Sequence, residues 1–141
     1  MKTYIVTAAV ITDGDRVLVT QRHAGASQGL KWEFPGGKLE EGEDPEDCIV
    51  REIKEELEME IAVTDIFKVV MHRYRDRNIL LLAYLCRHQG GSPTPAGCRD
   101  LAWAPVGRLP EYDLAAADLP IAAKLQKLFK ATEDTKKKPL L

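Results

Sequence analysis

Apolar and polar positions along the chain change period at identifiable points, and those changes mark out the elements. Residues 4–11 are mostly β-branched or small with no charge among them, and a second strand-like run occupies 16–20. Asp13-Gly14 between them is a strong hairpin dipeptide, so the two runs predict one hairpin. Residues 23–31 are rich in Gly, Ala and Ser without periodicity, which predicts a loop leading into Trp32-Glu33-Phe34-Pro35-Gly36-Gly37. The period then becomes helical: Ile49, Val50, Ile53 and Leu57 form one apolar stripe, predicting a helix over residues 45–58. Asp44 before Pro45 reads as its start, an N-cap carboxylate meeting free amides and a proline at the first helical position.

Strand-like runs return at 61–72 and 78–86, joined by a charged turn at 73–77, with a short strand at 101–105. Ile121, Ala122, Leu125, Leu128 and Phe129 predict a second amphipathic helix behind Pro120. The expected architecture is a mixed or antiparallel sheet with two helices in a single domain, residues 1–131, followed by a solvated tail, 132–141, that includes Lys136 to Lys138.

Composition narrows the picture. A chain of 141 residues with 45% hydrophobic content can bury one ordinary core. Its 20 basic and 22 acidic residues nearly cancel, which argues against a nucleic-acid polymer as partner. No stretch approaches the roughly 18 apolar residues of a membrane span, and the start lacks the pattern of a signal peptide, so the expectation is cytoplasmic. Cys48, Cys86 and Cys98 are odd in number and widely spaced, fitting neither a disulfide framework nor a zinc site.

The candidate chemistry lies on the first helix. Glu52, Glu55 and Glu56 stand at i, i+3 and i+4 and share one face away from the apolar stripe. Three converging anions can be a solvated face, or they can hold a cation. Gly36-Gly37 just upstream provides backbone that can come close to phosphate oxygens or offer a carbonyl to a metal. Oxygen donors without a histidine cluster point to Mg²⁺ or Mn²⁺ over zinc.

These residues resemble a known family. Gly37, five residues, Glu43, seven residues, then Arg51-Glu52-Ile53-Lys54-Glu55-Glu56 is similar to the Nudix box, and every fixed position through Glu56 matches. Glu58 departs, standing where the box has the glycine that ends its helix, so a differently closed or slightly longer helix is expected there. The resemblance covers residues 3–129. It implies an α/β/α sandwich around a mixed sheet, an α/β (α+β) fold, with the box as loop, helix and loop. By the same resemblance Gly37, Glu52, Glu55 and Glu56 are metal ligands, Arg51 orients them, and Glu43 supports it. Charge neutralisation on phosphate oxygens and an in-line water are what this chemistry requires.

The flanks, with Trp32 to Lys38 and Pro120 before the last helix, resemble the MutT branch, which cleaves nucleoside triphosphates to monophosphate and pyrophosphate. Relatives place a further glutamate in the loop before a tryptophan. Here Ala96-Gly97-Cys98-Arg99-Asp100 precedes Trp103 and the glutamate is missing, so either Asp100, the one carboxylate nearby, substitutes at a shifted position or Glu55 or Glu56 on the helix serves as base.

The base pocket implied by the resemblance comprises Tyr4, Val6, Ala8, Arg22, Phe34, Lys38, Asp76, Arg77 and Asp118. Val6, Ala8 and Phe34 are equally readable as core, Asp76-Arg77 as a solvated turn, and Asp118 as a cap of the last helix. An ionised aspartate only accepts hydrogen bonds, which suits the exocyclic amine of cytosine, whereas a protonated one could read 8-oxoguanine. The expected activity is Mg²⁺-dependent cleavage of CTP- or dCTP-like nucleotides or of 8-oxo-dGTP, by a monomer or homodimer. The box is common to enzymes of ADP-ribose and dinucleoside polyphosphates, so these stay as alternatives, as does a non-catalytic nucleotide-sensing domain.

Overall fold

The computed structural model describes residues 1–137, with side chains through 135. The strands are β1 (Thr3–Asp13), β2 (Arg16–Gln21), β3 (Trp32–Glu33), β4 (Gly36–Lys38), β5 (Glu60–Arg73), β6 (Asn78–Gly90) and β7 (Asp100–Pro105). The helices are α1 (Pro45–Leu57) and α2 (Leu119–Lys137), and short 3₁₀ turns cover Val106–Glu111 and Ala116–Asp118.

The sheet runs β3-β2-β1-β6-β5, with β4 added on β1 and β7 on β2. It is mixed: β1 and β6 run parallel, with Thr3 opposite Asn78 and Ile11 opposite Cys86, and the other pairings are antiparallel. Both faces are covered. Ala8, Val10, Val17 and Val19 pack toward Ile121 and Leu125 of α2, while Ala9, Ile11 and Leu18 pack toward Ile49, Ile53 and Leu57 of α1. That explains why residues 8–11 read as an unbroken apolar run, since a strand buried on both faces has no polar side to present. Among the described residues no helix is long and apolar enough to cross a membrane.

Several local expectations need correction. Asp44 occupies the N-cap position in extended conformation, but its side chain makes no capping hydrogen bond, leaving Pro45 and the acidic Glu46 and Asp47 to suit the helix start. Val50 is 40% exposed, and Cys48, fully buried, takes its place in the α1 stripe. α1 is not lengthened at Glu58. That residue adopts the left-handed conformation, φ 57°, and its N–H donates to Lys54 O, so glutamate does what a glycine would do. The expected solvated tail is helical as far as Lys137, and the rest of it lies outside the described residues. The three cysteines are free and buried.

Candidate active site

The loop, helix and loop around α1 are tied together by one guanidinium. Arg51 Nε donates to Glu43 Oε2 at 2.7 Å and Nη2 to Glu43 Oε1 at 2.9 Å, a two-pronged pair. Its Nη1 donates to Glu52 Oε1 at 2.9 Å and to Glu55 Oε2 at 3.2 Å. This arginine holds the Glu43 carboxyl down to about 2, so Glu43 is a fixed anion. The i, i+3, i+4 spacing thus delivers Glu52, Glu55 and Glu56 to one cleft of about 330 Å³, shared with Glu33 and Cys98.

Gly37 sits directly against this acid face. A Cβ on Gly37 would lie 2.3 Å from the carboxyl carbon of Glu52, so the glycine preserves a cradle that any side chain would fill. Its carbonyl accepts from Thr7 Oγ1 at 3.2 Å. Gly36 is required on its other side, since a Cβ there would meet the Thr7 backbone carbonyl where β4 pairs with β1.

Glu56 is the acid most altered by its surroundings. Burial pushes it up to about 8, the charge of Glu33 adds to this, and Thr20 and the Gly36 amide oppose it. Glu33 is itself raised, by burial first, with the Arg22 charge and hydrogen bond opposing. Arg22 Nη1 donates to both Glu33 oxygens, at 3.1 and 3.3 Å.

The donor set fits a hard divalent ion: oxygen atoms only, a glycine cradle, and crowded acids whose mutual repulsion a cation would relieve. Among the described residues no three acids are gathered at ligand spacing, and Arg51 Nη1 donates to both Glu52 and Glu55.

A second cavity of about 150 Å³ adjoins the first and shares Arg22, Glu33 and Gly36 with it. Val6, Ala8, Arg22, Phe34, Lys38, Arg77 and Asp118 all line it. Tyr4 and Asp76 do not. Tyr4 lies instead between two ammonium groups, Lys2 at 4.9 Å and Lys38 at 4.4 Å from its ring, and Asp76 is an exposed partner of Arg77 at 3.1 Å. Sequence reasoning missed Glu33 and Tyr74. The signal for Glu33 was a lone acid between two aromatic residues, whereas Tyr74 reaches the cavity from a turn that carried none.

Asp118 is 6% exposed and does not cap α2: its Oδ2 accepts the Phe34 N–H at 2.8 Å. Among the described residues no donor meets Oδ1, and Asp118 lines the cavity. Desolvation raises its carboxyl well above the usual range, the Glu33 charge adds to this, and the Phe34 amide and Arg22 oppose.

The loop that carries a glutamate in relatives docks here on the end of α1. Ala96 and Gly97 donate to Glu56 O, both at 3.0 Å, and Thr94 donates to Leu57 O at 2.9 Å. Cys98 faces the acid cleft as a neutral thiol pushed up to about 11 by burial. Asp100 accepts from the Leu101 N–H at 2.8 Å and is not among the residues that line the cleft.

Comparison with known proteins agrees with this geometry. Residues 1–125 match the NUDIX domain. The chain is 32% identical over 127 residues to the 8-oxo-dGTP diphosphatase of Escherichia coli, covering 90% of this chain and 98% of the relative. It is 33% identical over 121 residues to the CTP pyrophosphohydrolase of the same organism, covering 86% and 90%. The crystal structure of the MutT Nudix hydrolase from Burkholderia pseudomallei superposes with a TM-score of 0.81 at 25% identity, covering 88% of this chain and 98% of that one. A MutT solution structure from Staphylococcus aureus gives 0.74 at 32% identity, covering 91% and 99%. With an unbroken acid motif on α1, an arginine knitting it to the preceding loop, and relatives matched nearly end to end, the chain belongs to the Nudix hydrolase family.

Proposed function

We propose that this chain cleaves nucleoside triphosphates to the monophosphate and pyrophosphate, with Mg²⁺ or alternatively Mn²⁺ held by Glu52, Glu55, Glu56 and the Gly37 carbonyl. The observation that carries the reading is the pair of adjoining cavities: a mostly apolar one ending at Asp118, and an acidic one at α1, joined at Arg22 and Glu33. A nucleotide spans such a pair with its base in the first and its phosphates in the second. The bound ion would neutralise charge on the phosphate oxygens.

The chain's own groups supply the rest. Arg51, fixed by Glu43, orients Glu52 and Glu55. Glu55 or Glu56 takes a proton from the attacking water as its oxygen bonds to phosphorus and the anhydride P–O bond between the α and β phosphates breaks. Phe34 and Val6 exclude water around the base, and Lys38 and Arg22 bring positive charge to the junction of the cavities.

CTP- and dCTP-like nucleotides suit an ionised Asp118, whose open oxygen accepts from an exocyclic amine. The upward shift of that carboxyl favours a second reading, 8-oxo-dGTP, because a neutral acid both donates and accepts. Both readings describe an enzyme of free nucleotides that cleanses the pool in the cytoplasm as a monomer or homodimer.

Pyrophosphate release with Mg²⁺ from CTP, dCTP, 5-methyl-dCTP, dGTP and 8-oxo-dGTP, beside ADP-ribose, tests the proposal. The expected result is turnover of a cytidine nucleotide or of 8-oxo-dGTP well above dGTP, with the ranking altered by Asp118→Asn. Background rates throughout, or ADP-ribose cleavage exceeding every triphosphate, would overturn it.

A further inference from the structure

One buried side-chain oxygen among the described residues has no hydrogen-bond partner: Thr20 Oγ1, on a residue only 1% exposed. An unpaired buried hydroxyl lowers stability, and the few that occur call for an explanation. The other buried threonine, Thr7, is satisfied by Gly37 O and Cys48 Sγ, so the fold has no general tolerance for such atoms.

Thr20 is placed where an explanation is available. It lies on β2 directly opposite Glu33 of β3 and one residue before Gln21, which lines the acid cleft. Among the described residues no acceptor stands at hydrogen-bond geometry, yet the Glu56 carboxyl lies beside the hydroxyl. Glu56 is meanwhile fixed at its backbone by the Ala96 and Gly97 amides, and a Cβ on Gly97 would lie only 3.3 Å from Glu56 Cα. The main chain of this acid is clamped, and its carboxyl is left to be aimed by its neighbours.

We infer that Thr20 is a positioning residue: its hydroxyl donates to the Glu56 carboxylate once that group engages the divalent ion, selecting which oxygen faces the cleft. The inference rests on the proposed role of Glu56 as a metal-holding acid. It also explains the missing partner, since the hydroxyl is kept for a hydrogen bond that forms in the loaded site. Outer groups of this kind typically change metal affinity or activity by tenfold or more when removed.

The test compares wild type with Thr20→Val, which keeps the shape and loses the hydroxyl, and Thr20→Ser, which restores it. Three readouts are needed: melting temperature without metal, Mn²⁺ affinity by electron paramagnetic resonance of the free ion, and kcat with KM. Thr20→Val should melt a few degrees higher without metal, because a buried unpaired hydroxyl has gone. It should bind Mn²⁺ about tenfold more weakly and lose about tenfold in kcat, with KM for the nucleotide within twofold of wild type. Thr20→Ser should recover affinity and kcat.

Mn²⁺ binding and turnover by Thr20→Val equal to wild type would overturn the inference. So would weaker binding accompanied by a fall in melting temperature in both Thr20→Val and Thr20→Ala, which general damage explains. Wild-type protein that binds no Mn²⁺ would instead remove the metal reading of Glu56, a separate result.

Discussion

Asp118 shows how one buried residue links stability to recognition. Its carboxyl is raised by desolvation, with a single backbone donor on one oxygen and, among the described residues, none on the other. Below about pH 4 the folded and unfolded chains both carry the proton, and its burial has no ionic cost. As pH rises the unfolded carboxyl ionises first, the folded one retains its proton, and stability falls. Asp118→Asn keeps the acceptor for Phe34 and cannot ionise. Its melting temperature should therefore match wild type near pH 4 and exceed it by a margin that grows toward neutral pH. Thermal unfolding across that range checks this, and a margin that stays constant or shrinks would contradict the raised carboxyl. The same residue marks what the sequence could and could not tell. That Asp118 lines the cavity was readable from the resemblance, but its cap-like position before α2 hid the bond to Phe34, made across 84 positions of chain.

At the scale of elements, the end of α1 is where the chain departs from its family and compensates. Glu58 in a left-handed conformation costs on the order of 1 kcal/mol relative to glycine. Amides of residues 94, 96 and 97 cap the last carbonyls of the helix, and Gly91 comes in against Glu58 O with φ +76°. A Cβ at Gly91 would lie 2.5 Å from that oxygen, so both conformation and space require glycine. Gly91→Ala should lower stability by about 1–3 kcal/mol in urea unfolding, since alanine is strained at positive φ and meets backbone as well. A change within a few tenths of a kcal/mol would show that the loop does not brace the helix.

The long elements were legible because period speaks clearly over ten or more residues. α1 and the five expected strands, β1, β2, β5, β6 and β7, appear with ends shifted by one or two residues, apart from β6, which runs on to Gly90. β3 and β4, two and three residues long, are too short for a period, and the parallel pairing of β1 with β6 is a long-range choice that no local pattern encodes. The substitution of Cys48 for Val50 in the α1 stripe follows from where the helix meets β1, which the helix sequence alone does not contain.

At the scale of the molecule, a mixed sheet separates two cores: the acid cleft lies at α1, and the adjoining cavity is lined by Ala8, Phe34 and Ala117 of the opposite core. α2 stabilises the far face, and the adjoining turn at Ala116–Asp118 brings Asp118 back to Phe34. The acid cleft is built on paired strands and a packed helix, so removing one charge should leave the frame standing. Metal-dependent cleavage of a nucleotide by the carboxylates on α1 is tested most directly by Glu56→Gln, because the side chain keeps its size and can no longer ionise. Mg²⁺-dependent pyrophosphate release should be measured for wild type and variant on the preferred nucleotide, with melting temperatures alongside. The account predicts a fall in kcat of at least about a hundredfold, with a cooperative melt at or above that of wild type. A variant that folds and turns over within a factor of about two of wild type would contradict it.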